Sequence, residues 1–263
     1  MSGAHRARKR FGQHFLVDPG SLQSIVDAIA PRSDETLVEI GPGQGALTEP
    51  LLLSGAALHA VELDRDLVLT LGNRYSQAER FTLHEADALK FDFRQLGERL
   101  RIVGNLPYNI STPILFHLLE AMESIQDMHF MLQKEVVERM AAEPDSKRYG
   151  RLTVMLRALA DVEALFDVPP DAFDPPPKVM SAVVRVLPNP GRAASVREPA
   201  VLRRIVTAAF SKRRKTLRNA LSGVVAQEAL ETCDIDATMR AENIPVEQWI
   251  ALANHMASNE AED

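Results

Sequence analysis

Apolar residues along this chain follow two rhythms, one that suits helices and one that suits strands. Leu22, Ile25, Val26 and Ile29 recur three and four positions apart, which puts them on one helical face, and Pro31 ends the run. Thr36 to Ile40 is a short β-rich stretch broken by Gly41-Pro42-Gly43-Gln44-Gly45. Ala46 to Leu53 predicts a helix, Ala57 to Val61 a strand, and Arg65 to Leu71 another helix. Phe81 to His84 and Leu100 to Val103 predict further strands, with a helix over Pro113 to Ala121. Met128 to Leu132 predicts a strand and Lys134 to Met140 a helix, while Val179 to Leu187 alternates as a late strand beside Met128 to Leu132. Strands and helices that alternate in this way predict an α/β fold, a parallel sheet with helices on both faces.

Pro188-Asn189-Pro190-Gly191 interrupts the pattern, and beyond it the rhythm is helical only, over Val201 to Phe210, Thr216 to Val225 and Val246 to Met256. The expected organisation is a Rossmann-like α/β domain over residues 1–188 and a small all-α domain over 189–263. A chain of 263 residues is long enough for both. With 46% apolar and 25% charged residues, wholesale disorder is excluded. The single Cys233 rules out an intrachain disulfide and a thiolate metal cluster, so no metal is expected and a reducing compartment fits. The first residues are basic, but polar Gly12-Gln13-His14 stands where a signal peptide would carry its apolar core. No apolar run approaches the roughly 20 residues of a membrane helix. A soluble, cytoplasmic monomer is expected.

The net charge of −6 argues against a polyanion partner until its distribution is considered. Val201 to Arg218 holds Arg203, Arg204, Lys212, Arg213, Arg214, Lys215 and Arg218 without one acidic residue. Such a patch on an acidic protein supplies phosphate contacts and electrostatic steering. Arg8, Lys9 and Arg10 form a second basic cluster.

A strand, a glycine loop and a helix together form the arrangement that holds an adenosine-containing cofactor in doubly wound folds. Gly41 permits the sharp turn and Gly43 lets backbone approach ligand, while Glu62, at the end of the next strand, can accept both ribose hydroxyls. Asp87 follows the third strand, where it can accept from an adenine amino group. Gly41-x-Gly43-x-x-Ala46 also satisfies the dehydrogenase fingerprint, so a nicotinamide-dependent oxidoreductase is the rival enzyme reading. Three features favour S-adenosylmethionine. Glu39 suits a cationic amino acid better than a pyrophosphate, Asp87 is an additional adenosine contact, and hydride transfer has no use for Asn105-Leu106-Pro107-Tyr108 at the end of the fourth strand. Ligands in open α/β sheets bind at those strand ends, so Gly41, Glu62, Asp87 and Asn105 are expected in one crevice.

Five segments in this order resemble the ribosomal RNA adenine dimethyltransferase family. They are Lys9-Arg10-Phe11-Gly12-Gln13-His14-Phe15-Leu16, Glu39-Ile40-Gly41-Pro42-Gly43-Gln44-Gly45, Asn105-Leu106-Pro107-Tyr108, the run from Phe173 to Val184, and Phe210 to Leu217. The resemblance implies that S-adenosylmethionine is the methyl donor, held by His14, Leu16, Gly41, Gly43, Glu62, Asp87 and Asn105. It implies dimethylation of N6 on two adjacent adenosines near the 3′ end of small-subunit ribosomal RNA, with the small subunit and its RNA as partner. Asn105, Leu106, Pro107 and Tyr108 would then be catalytic, with Phe173 stacking on the target base. Arg8, Lys9, Arg10, Lys212, Arg213, Arg214 and Lys215 would contact RNA. Many relatives carry Asn where this chain has His14. Two alternatives share these motifs, a large-subunit RNA methyltransferase of the antibiotic-resistance type and a non-catalytic ribosome-assembly or RNA-binding factor.

Overall fold

In the computed structural model, which describes residues 14–108 and 110–260, the two-residue strand β1 (Phe15–Leu16) leads directly into helix α1 (Pro19–Ile29). Asp18 caps that helix by accepting the Ser21 N–H at 2.6 Å, and Pro19 supplies a preset φ at its first position. Next come β2 (Thr36–Ile40), α2 (Thr48–Leu53), β3 (Ala57–Glu62), α3 (Arg65–Arg74), β4 (Phe81–Glu85), β5 (Leu100–Asn105), α4 (Ser111–Leu119) and β6 (Ile125–Gln133). Then follow α5 (Lys134–Met140), α6 (Arg151–Arg157), β7 (Ala160–Val168), β8 (Phe173–Asp174) and β9 (Ser181–Pro188). Five helices close the described chain: α7 (Pro190–Ser195), α8 (Pro199–Ser211), α9 (Leu217–Ala220), α10 (Gln227–Thr232) and α11 (Val246–Glu260).

Seven strands form one sheet in the order β4-β3-β2-β5-β6-β9-β7. From β4 through β6 every pairing is parallel. The late strand expected beside Met128–Leu132 is β9, and because it runs antiparallel to β6, with Met131 opposite Val183, the sheet is mixed. Edge strand β7 is a second departure. Ala160, Val162, Ala164, Phe166 and Val168 alternate along it with exposed Asp161, Glu163 and Asp167, broken only by Leu165, a strand signal that the sequence reading passed over. Strand order reverses between β2 and β5, and at such a point the carboxyl ends of adjacent strands open a crevice.

Beneath that crevice one face of the sheet buries Leu37, Val103, Met131 and Val183 with Ile25 and Ile29 of α1. Lower on the same face lies a charged cluster. Arg101 gives Asp127 two hydrogen bonds of 2.9 Å and Glu35 one of 2.7 Å, and it donates to the α1 carbonyl of Ile29 at 2.6 Å. A planar guanidinium with five donors can serve two carboxylates and a helix C-terminus at once, which an ammonium cannot do in one geometry.

By contacts the chain divides into two compact units, one of residues 1–137 and 163–187, the other of 138–162 and 188–263. The second unit is discontinuous in sequence, taking in α6 as well as the C-terminal helices. Trp249 is fully buried in it beside Phe210, at 6.0 Å between ring centroids, and the Tyr149 hydroxyl donates to the Ile244 carbonyl at 2.7 Å. The helix expected over Thr216 to Val225 is only the four residues of α9, and Gly223 beyond it has φ +78°. No helix among the described residues is long and apolar enough to cross a membrane.

His129 lies 3.8 Å from Asp127 in the charged cluster, and burial holds its imidazole down to about 4 against the pull of Asp127. A histidine normally titrating near 6.5 thus binds fewer protons folded than unfolded, so its stability contribution is present above about pH 6.5 and is lost as pH falls toward 4. Denaturant unfolding at pH 7 and pH 5 is expected to show His129→Leu losing about 1 to 2 kcal/mol less than wild type between the two. Equal losses would remove His129 from the acid response.

Candidate active site

The parallel register brings the ends of β2, β3 and β5 and the turn after β4 to one rim, where they line a cavity of about 460 Å³. His14, Leu16, Glu39, Gly41, Gly43, Glu62, Asp87, Asn105, Leu106, Pro107 and Tyr108 all face it. Gly104 permits the close approach of β5 to β2, since a Cβ there would stand 2.6 Å from the Ile40 carbonyl oxygen. Gly41 and Gly43 both adopt positive φ, +67° and +58°, and a side chain at Gly43 would press on the Phe15 ring.

Glu62 holds that loop from the neighbouring strand. One carboxylate oxygen accepts the Leu63 and Asp64 N–H groups at 2.8 Å each, and the other accepts Gly43 N–H at 3.3 Å. Burial raises the Glu62 pKa, while these backbone donors oppose the rise. Asp87 accepts the Leu89 N–H at 3.0 Å through one oxygen. Glu39 is the most buried acid of the site. Burial pushes it up to about 7, the Thr48 hydroxyl that donates to it at 2.6 Å pulls it back, and the negative charge of Glu62 adds to the rise.

Asn105 is oriented by its own amide. Its Nδ2 donates to the His14 backbone carbonyl at 3.0 Å, and because a carbonyl can only accept, the assignment of nitrogen and oxygen is chemically forced. That leaves Oδ1 as the acceptor end of the amide. Leu106 is 1% exposed and donates its N–H to the Met131 carbonyl. Tyr108 is half-buried, with its hydroxyl 2.8 Å from that of buried Ser181, and burial raises its pKa.

The N-terminal strap that carries His14 is fastened at 172–175. Strands β1 and β8 pair antiparallel, Val17 N–H donates to Ala172, and His14 Nδ1 lies 2.7 Å from the Pro175 carbonyl. The His14 ring stacks on Tyr108 with centroids 5.7 Å apart and planes at 28°. Phe173, expected on the target base, stands elsewhere. It is 3% exposed, packed among Leu16, Met131 and Val183, and is not part of the cavity wall.

The basic candidates divide too. Lys212, Arg214 and Lys215 are exposed, whereas Arg213 is engaged within its unit by Glu242 at 2.7 Å and by the Lys147 carbonyl. Arg8, Lys9 and Arg10 lie outside the described residues. Sequence reasoning passed over Thr48 and Ser181, which orient Glu39 and Tyr108. Thr48 lies nine residues from its partner, but Ser181 lies 73 from Tyr108, a distance no local pattern bridges.

A glycine loop with three acids, Glu39, Glu62 and Asp87, around one cavity fits an S-adenosylmethionine-dependent methyltransferase. The model of the ribosomal RNA adenine dimethylase family matches residues 4–258, and the chain belongs to that family. It is 56% identical to ribosomal RNA small subunit methyltransferase A of Thiobacillus denitrificans over 97% of this chain and 99% of that protein. The protein of the same name from Pseudomonas aeruginosa is 54% identical over 96% of each. In fold the chain is similar to a dimethyladenosine transferase from Plasmodium falciparum, with TM-score 0.82 and 24% identity over 94% of this chain and 98% of that one. The 23S rRNA methyltransferase ErmE gives TM-score 0.72 and 25% identity, over 92% and 99%.

Glu39 makes the site sensitive to pH. Burial raises its carboxyl to about 7, so it would have to ionise to hold a cationic cofactor. S-adenosylmethionine affinity is therefore expected to rise about fivefold from pH 6 to pH 7, with proton release on binding, and Glu39→Gln should flatten both. Calorimetry in buffers of different ionisation enthalpy measures this, and a wild-type affinity independent of pH would exclude Glu39.

Proposed function

We propose that this enzyme dimethylates N6 of two adjacent adenosines near the 3′ end of small-subunit ribosomal RNA, in the cytoplasm and in the course of small-subunit assembly. The observation that carries the chemistry is the Asn105 amide, anchored through Nδ2 and set with Leu106 in the cavity wall. The lone pair of an adenine amino group is delocalised into the ring, so the nitrogen is a poor nucleophile. Accepting one N–H at Asn105 Oδ1 and the other at the Leu106 carbonyl draws that nitrogen toward tetrahedral geometry and aims its lone pair. Positioning of this kind supplies much of the rate, and no strong base is needed, because the proton becomes acidic only as the new bond forms. The amino nitrogen gains a methyl group and loses a proton to solvent.

S-adenosylmethionine supplies the methyl group as an electrophile and departs as a neutral thioether. Glu62 would hold its ribose hydroxyls, Asp87 its adenine amino group and Glu39 its ammonium, with His14, Leu16, Gly41 and Gly43 completing the wall. The donor set fits a cation that carries a ribose, because Glu39, Glu62 and Asp87 all line one cavity. Reaching the amino group requires the base to leave its stack at a cost of a few kcal/mol, and stacking on Tyr108 recovers about 1 to 3 kcal/mol. Pro107 fixes the turn that presents Tyr108. Phe173 would serve the base indirectly, as the core residue that seats the strap, and stacking on the base would require it to leave that core. Lys212, Arg214 and Lys215 would contact RNA phosphates, with Arg8, Lys9 and Arg10 at the other end of the chain, while Arg213 would hold its segment in place.

Small-subunit RNA is favoured over large-subunit RNA by the relatives' degree of likeness, since the small-subunit proteins are 52–56% identical and the 23S enzyme 25%. An intact Asn105 to Tyr108 motif beside an intact Glu62 and Asp87 weighs against a purely scaffolding factor.

Incubation with labelled S-adenosylmethionine and unmethylated small subunits, followed by mapping of modified bases, is expected to place label on adenine N6 of small-subunit RNA. Label on neither subunit's RNA would overturn the reading. Asn105→Ala should reduce transfer to near background while cofactor affinity survives in weakened form, and wild-type turnover would remove the amide from the mechanism. Glu62→Ala should weaken cofactor binding by about 1 to 3 kcal/mol, the cost of lost charge-assisted hydrogen bonds. Unchanged calorimetric affinity would rule out the ribose assignment.

A further inference from the structure

The Tyr108 ring is already occupied on one face. His14 stacks on it with centroids 5.7 Å apart and planes at 28°, both residues line the cavity, and the Tyr108 hydroxyl is tied to buried Ser181. Base stacking repeats at about 3.4 Å, so two rings that hold a base between them must stand about 7 Å apart. His14 and Tyr108 are too close for that. The imidazole also has a defined anchor, because a carbonyl partner at Nδ1 makes that nitrogen the donor and holds the ring against the Pro175 oxygen at 2.7 Å.

From this geometry we propose that His14 occupies the stacking place of the target adenine in the free protein and is displaced when the base enters. The inference rests on the stacking role given to Tyr108 and goes beyond it, by making residue 14 a determinant of base admission. Displacement exchanges one aromatic stack and one hydrogen bond for the larger face of a purine, so a base that stacks poorly is not admitted. Asn105 keeps its orientation throughout, because it is held by the main-chain carbonyl of residue 14 and not by the imidazole. Side-chain replacement at this position therefore separates the stacking function from the amino-group site.

The test uses the full chain saturated with S-adenosylhomocysteine and a short single-stranded RNA carrying one 2-aminopurine, whose fluorescence is quenched on stacking and which lacks the 6-amino group. Removing the competitor in His14→Ala is expected to tighten this RNA several-fold and deepen the quench. His14→Asn, which retains a polar side chain without the ring, should move both in the same direction. Weaker or unchanged binding and quench in folded His14 variants would overturn the proposal and make the imidazole a fixed wall. Tyr108→Ala in the otherwise wild-type chain separates this failure from that of the parent reading. Loss of the quench there keeps Tyr108 as the stacking face whatever His14 does, and an intact quench would sink both.

Discussion

The site depends on the close, parallel approach of β2 and β5 at the point where strand order reverses. That approach is possible because Gly104 has no side chain to meet the Ile40 carbonyl, 2.6 Å from where a Cβ would stand. Every feature of the cavity follows from the register it sets. The glycine loop leaves β2 beside the end of β5, Glu62 ends β3 within reach of Gly43, and Asn105 ends β5 within reach of the strap. Widening this seam would separate the glycine loop from Asn105 and the residues that follow it.

Charge is divided along the same face of the sheet. Toward its lower end Arg101 is saturated by Asp127, Glu35 and the α1 carbonyls, an arrangement that fixes α1 and leaves no donor over. Toward the cavity stand three acids, Glu39, Glu62 and Asp87, and burial, with the negative charge of Glu62, holds Glu39 partly protonated. The lower cluster is therefore closed on itself, and the upper one lines a cavity. Their titrations act in opposite senses. Acid costs stability through His129, while Glu39, raised above its unfolded value, contributes stability below about 4.5 that is lost as pH rises toward 7.

Much of the site was legible because its residues sit at strand ends, and strand ends announce themselves. Gly41, Glu62, Asp87 and Asn105 each follow an apolar run, and the alternation of elements was enough to send them to one rim. What stayed hidden was tertiary in origin. Strand β1 and strand β8 are two residues each, too short for any periodicity, and the second compact unit borrows residues 138–162 from the middle of the chain, while β7 does alternate and was passed over. Side-chain engagement was hidden as well. Phe173 looks like a base-stacking aromatic in its motif and lies in the core, and Arg213 looks like its basic neighbours and is held by Glu242. Residue type shows what a group can do, and only its neighbours show whether it is at liberty to do it.

The fastening of the strap also carries a consequence for the order of assembly. His14 meets Pro175 across a separation of 161 positions, and β1 has its partner in β8, so the wall beside Asn105 closes only when two distant parts of the chain come together. Loop closure of that length must be met before its contacts reward it, which places such pairings late in folding. During synthesis the sheet core from β2 to β6 emerges long before residue 172. The nascent protein therefore passes through a stage with its glycine loop formed and the Asn105 amide not yet restrained by the strap.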